Sequence, residues 1–168
     1  MLRNLFRGLT AQPAHGARMF DAITRETRRK TWYVEGEVPD SLDGRFAVLA
    51  TVTALVIVRL EQEGSAGNQA SVALTERFIE VMESEHRELG LGDPTLGRTV
   101  RKLVSLLARR TEIWRSSVDG DWAAVTKESL YKEEVDLVAL RHSAEALKTL
   151  WERLREKTLD EVEQGTFA

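Results

Sequence analysis

A chain of 168 residues, 30% charged and 42% hydrophobic, is long enough for one buried core and too apolar to remain disordered. It has no cysteine, which excludes disulfides, thiolate metal sites, iron–sulfur clusters and cysteine nucleophiles together. The net charge of −3 hides an uneven layout, since Met1 to Phe20 contains no acid but carries Arg3, Arg7 and Arg18.

Leu2, Leu5, Phe6 and Leu9 recur at helical spacing around Arg3 and Arg7. A frayed basic terminus is the plain reading. A membrane-surface foot and an Arg-rich organelle presequence are the sharper ones. A secretory signal is excluded, because there is no continuous apolar centre. Residues 1–16 are therefore expected to be a basic, flexible segment, and residues 17–168 a single domain.

A first helix is expected over about Ala17 to Lys30, with Met19, Phe20, Ile23 and Thr27 on one side. Trp32 to Pro39 reads as an extended link, because the residue before a proline avoids the helical region. Trp32 and Tyr33 would hold that link down as a lid on the core. Asp40 is expected to cap the next helix, with Asp43 in its acidic first turn and Gly44 as a structural position. From Phe46 to Leu60 the chain is apolar without strand alternation, and shorter than the roughly 20 residues a membrane span needs. It predicts a buried central helix, ended by Gly64-Ser65-Ala66-Gly67-Asn68.

The third helix is expected over about Gln69 to Leu89, with Phe78, Ile79, Met82, His86 and Leu89 as its stripe. Gly90 would close it in the left-handed conformation, and Gly92 follows. Asp93 would cap a fourth helix, with Pro94 at its first position. That helix runs to about Ser117 and places Leu96, Val100, Leu103, Leu107 and Trp114 on one side. Trp122, Val125, Leu130 and Tyr131 mark a short helix after the loop at Ser116 to Asp121. Leu137, Leu140, Ala144, Leu147, Trp151 and Leu154 mark a long last one. The expectation is all-α: a compact bundle of about six helices around a buried apolar one, with short connections.

Signs of catalysis are thin. Glu83 and His86 form one Glu-x-x-His pair, but a di-iron bundle needs two, and His142 has Ala139 where the second glutamate would stand. Gly90-Leu91-Gly92 follows a helix rather than a strand, so it is not a phosphate loop. There is no Gly-x-Ser-x-Gly elbow. The fourth helix is basic through Arg98, Arg101, Lys102, Arg109, Arg110 and Arg115, with Trp114 nearby. A solvated helix face accounts for this as well as a docking surface for an acidic protein, ribosomal RNA or anionic lipid does. Sequence-specific DNA reading is not expected, since no helix-turn-helix pattern is present and the chain is acidic overall.

Three stretches taken together resemble the ubiquinol–cytochrome c chaperone family, the assembly factors of the cytochrome bc1 complex. They are Trp32-Tyr33 through Val38-Pro39-Asp40-Ser41-Leu42-Asp43-Gly44-Arg45-Phe46, then Arg59-Leu60, then Arg87-Glu88-Leu89-Gly90-Leu91-Gly92-Asp93 with Gly97 and Lys102. The likeness runs from about Thr31 to Tyr131 and is weaker in the last helix and Gly165-Thr166-Phe167. The chain departs from the family at His86, where an apolar residue is usual. It departs again at Leu107-Ala108-Arg109-Arg110, where an aromatic-Tyr-Gly-Arg run is usual. Without the membrane segment of the mitochondrial members, it is similar to the short bacterial ones.

The resemblance implies a non-enzymatic chaperone without a cofactor, whose client is newly made cytochrome b or another bc1 subunit. It also implies a second assembly factor or the ribosome as a further partner. The location implied is cytoplasmic, at the inner face of the inner membrane with peripheral membrane contact, or the mitochondrial matrix in a eukaryote. Partner binding is expected at Trp32, Tyr33, Arg45, Arg87, Arg98, Arg101, Lys102, Arg110 and Trp114. Asp40, Gly44, Gly90, Gly92, Asp93 and Pro94 are expected to be structural. The rivals are a metal-dependent bundle enzyme using Glu83 and His86, and a membrane-peripheral adaptor using Leu2, Leu5, Phe6 and Leu9.

Overall fold

The computed structural model describes residues 13–168, with side chains from Gly16 onward. The pattern at Leu2, Leu5, Phe6 and Leu9 lies outside the described residues. Seven α-helices and no strand occur among those described: α1 (Pro13–Thr27), α2 (Leu42–Glu61), α3 (Gly64–Glu88), α4 (Asp93–Ser117), α5 (Trp122–Leu130), α6 (Leu137–Glu156) and α7 (Leu159–Glu163). The all-α expectation holds, with the short α7 as the added helix.

α2 is the hub. Fourteen of its 20 residues are buried, eleven of them in an unbroken run from Ala50 to Leu60, and it packs against α1, α3, α4, α5 and α6. Neighbours on every side explain why its sequence shows no polar face. No helix among the described residues is long and apolar enough to cross a membrane. Arg59 closes the buried run and is itself buried. Its Nε donates to the Leu154 carbonyl at 3.0 Å and its Nη2 to that of Lys157 at 2.7 Å, while Nη1 pairs with Glu63 at 2.6 Å. One guanidinium therefore binds two carbonyls at the end of α6, sharing that of Leu154 with the Lys157 amide.

Several boundaries differ from the sequence expectation. α1 starts at Pro13 and ends at Thr27, followed by a single 3-10 turn at Lys30–Trp32. The Trp32–Pro39 link is coiled rather than extended, because Gly36 and Val38 donate back to the carbonyls of Thr31 and Trp32. Trp32 is wholly buried and its indole donates to the Glu26 carbonyl at 2.9 Å, so the backbone winds around its anchor. The cap of α2 is Ser41, not Asp40: its hydroxyl accepts from the Gly44 amide, which leaves Asp40 to pair with Arg45 at 2.6 Å. The glycine-rich run from Gly64 does not form a loop but the first turn of α3, since Gln62 and Glu63 alone make the reversal.

The α3–α4 turn follows the expected plan with a shift of one residue. Gly90 has φ +87°, its amide donates to Arg87, and the Leu91 amide donates to His86, the two bonds of a Schellman motif. Gly92, extended, is the cap of α4, so Asp93 and Pro94 occupy its first turn. Asp93 still opposes the positive end of the helix there. Both short reversals make α2 and α4 run one way with α3 against them. α6 runs with α2, because its end meets Arg59 and Ser143 in its early turns meets Tyr131, whose hydroxyl donates to Gly36. The link before α2, the α3–α4 turn and the α5–α6 loop thus share one end of the bundle.

Candidate docking surface

The arginines and lysines proposed for partner binding separate into three groups by what surrounds them. Arg110 is half-buried: Nη2 donates to the Ser129 carbonyl at 2.9 Å and Nη1 to Leu106 at 3.2 Å, with the guanidinium 6.0 Å from the Phe46 ring centre. It closes the end of α5 as Arg59 closes α6. Burial, and then Arg109 beside it, lowers its pKa, yet an arginine stays charged. Arg45 belongs to a second group, held by Asp40, as are Arg109 by Glu128 and Arg115 by both Glu61 and Glu112. The hydrogen bonds that Arg115 donates to Glu61 are the main reason that its pKa is raised.

Arg87, Arg98, Arg101 and Lys102 form the third group. All four are exposed, and among the described residues none of their side chains has a hydrogen bond or ion pair. They sit on the arm formed by the end of α3 and the start of α4. Between these two helices lies an open groove of 480 Å³. Ile79, Val100 and Val104 give it an apolar lining, and Glu83, Arg101 and Ser105 its polar edge. A concave apolar strip with Arg101 at its edge, and Arg87 and Arg98 exposed on the same arm, can take an amphipathic segment bearing acids, with the charges setting orientation more than strength.

Trp32 and Trp114 do not belong to this surface. Both are fully buried, and Trp114 packs on Trp122 with ring centres 5.0 Å apart. Tyr33 is half-buried with its hydroxyl on the Thr27 carbonyl at 2.9 Å, and burial raises its pKa. The lid reading of Trp32 and Tyr33 is the one that their positions support; large side chains on a link were needed inside. Glu83 and His86 gather no further ligands. The His86 ring bonds the Met82 carbonyl at 2.8 Å, and no group of three or more potential metal ligands occurs among the described residues.

Ile79 and Val104 were missed as groove residues by the sequence reasoning. Val104 lies one step from Leu103, off the apolar stripe of α4, and that extra apolar position was the available signal. Arg59 was noticed only as part of a resemblance; a lone arginine closing an apolar run was the physical cue to a buried cap.

A family model described as ubiquinol–cytochrome c chaperone matches residues 35–167. The chain is also similar to a solved protein, the Cbp3 homolog from Brucella abortus, with a TM-score of 0.76 and 25% identity over 98% of this chain and 94% of that one. No curated protein sequence matches it.

Proposed function

The chain belongs to the ubiquinol–cytochrome c chaperone family, and from that premise we propose that it binds newly synthesised cytochrome b and assists its maturation into the bc1 complex. The work is holding rather than chemistry, so no catalytic group or cofactor enters it. It is done at the inner face of the inner membrane, or in the matrix if the source is eukaryotic. The observation that carries this reading is the α3–α4 arm, where Arg87, Arg98 and Arg101 have no hydrogen bond or ion pair among the described residues and Arg101 edges an apolar groove. Arg59 and Arg115 are paired within the fold; Arg87, Arg98 and Arg101 are not. A segment of the client would lay an apolar face on Ile79, Val100 and Val104 and meet the rim with carboxylates or backbone carbonyls.

The test is the double substitution Arg98→Glu/Arg101→Glu, used to capture cytochrome b from cells of the source. Capture should drop about tenfold, the scale of one or two lost charge contacts, while the thermal transition stays where it was. Undiminished capture by a folded double variant would overturn the site. Normal levels of assembled bc1 complex after deletion of the gene would overturn the function.

A further inference from the structure

Six large apolar side chains are exposed among the described residues, and five lie at one end of the bundle: Val34, Leu42, Leu89, Leu137 and Val138. Leu89 sits on the cationic arm; the other four lie apart from it and are 67%, 76%, 74% and 75% exposed in that order. Leu137 is the telling one, because the periodicity of α6 places it on the buried stripe and the fold leaves it in water.

Contacts across this end bring the segments that carry the four together. Tyr131 donates to the Gly36 carbonyl at 2.5 Å, Lys132 reaches Asp43 at 2.6 Å, and Thr31 meets His142, one turn beyond Val138, at 2.5 Å. Residues 33–43 and 131–138, which make the surface, hold seven carboxylates and one base, Lys132. Lys132 is engaged by Asp43, Lys127 by Glu134 and Arg45 by Asp40, while Arg141, one turn beyond Leu137, is exposed without an ion pair among the described residues. Glu35, Glu37 and Glu133 are exposed, and none has an ion pair. An open hollow of 620 Å³, lined in part by Ala124, Tyr131 and Glu133, adjoins the patch.

We propose that this anionic apolar patch is a second docking surface, fitted to a basic amphipathic helix of a partner polypeptide. Leu42, Leu137 and Val138 would lie under the apolar face of that helix, and burying them is favourable in proportion to the area removed from water. The unpaired carboxylates would meet lysine and arginine on its flanks and exclude acidic helices. Its charge is opposite to that of the α3–α4 groove, so the two surfaces select different partners and do not compete. The assignment does not rest on the identity of the client.

The probe is a labelled peptide of about 18 residues, with leucines on one helical face and lysines elsewhere, titrated into the full chain by fluorescence anisotropy. A second peptide has glutamate in place of each lysine. The lysine peptide should bind at least about tenfold more tightly than the glutamate peptide. Leu137→Asn/Val138→Asn should remove about the same factor, and so, through charge alone, should Glu35→Lys/Glu133→Lys. Val72→Asn and Arg98→Glu/Arg101→Glu should leave binding unchanged. Equal binding of both peptides, or wild-type affinity in both patch variants, would overturn the proposal. So would a homodimer in light scattering that Leu137→Asn/Val138→Asn dissociates, because the patch would then be covered by a second copy of the chain.

Discussion

Arg59, Arg110 and Arg98 are the same side chain in three settings, and what each faces decides its role. Arg59 and Arg110 meet carbonyls at the ends of α6 and α5, so removing either would take the side-chain donor from the carbonyl of Lys157 or Ser129. Arg98 is exposed and has no hydrogen bond or ion pair among the described residues, which leaves it available to a partner. On the sequence, Arg98 and Arg110 are both basic positions of one helix, and nothing local tells cap from contact. Tyr131 shows the same dependence on distant groups, since its hydroxyl joins Gly36 to Ser143. Burial raises its pKa above 10.0, so the native hydroxyl stays protonated at a pH where the unfolded chain has ionised. Wild type should exceed Tyr131→Phe in stability by about 1 kcal/mol below pH 10. That advantage should disappear as pH rises through the higher native value. Urea midpoints of both proteins at about pH 8 and about pH 11 check this; a constant difference would contradict it.

Among the elements, two turn glycines are required for different reasons. A Cβ on Gly44 would lie 1.8 Å from the Pro39 carbonyl oxygen, so the link before α2 would have to move. Gly90 has open space around it, and only its φ of +87° resists a side chain. Gly44→Ala should therefore cost about 2 kcal/mol or more through displaced packing, and Gly90→Ala about 1 kcal/mol through backbone strain. Asparagine, which tolerates the left-handed region, should restore much of the loss at position 90 but none at 44. Denaturant midpoints of the four variants read this, and a Gly44→Asn as stable as wild type would refute the steric account. Helix identity, order and most of the stripes were legible in the sequence, because 3.6-residue periodicity and turn chemistry are local. Leu89 and Leu137 broke their stripes because a stripe predicts burial only as far as a neighbour extends, and each lies where its helix starts or ends.

At the scale of the whole molecule, the last residues of the chain are locked onto α1. Phe167 is buried in the core, Gly165 accepts from Arg25 of α1, and Arg18 pairs with Gln164. Phe167→Ala should lower global stability by about 3 kcal/mol and shift the entire unfolding transition read by tryptophan fluorescence. Fraying of the last residues alone, with an unmoved midpoint, would show that the tail is not part of the cooperative core. The sequence by itself determined an all-α protein around one apolar helix, its α3–α4 reversal and the absence of cysteine chemistry. These depend on spacing, turn residues and composition, which are properties of neighbours along the chain. The tertiary structure alone decided that Trp32 and Trp114 face inward, that Arg110 caps while Arg98 and Arg101 remain free, and that one end carries opposite charges on two surfaces. The reason is that burial and charge pairing are set by residues as far apart as Arg59 and Leu154, which only folding brings within hydrogen-bond reach.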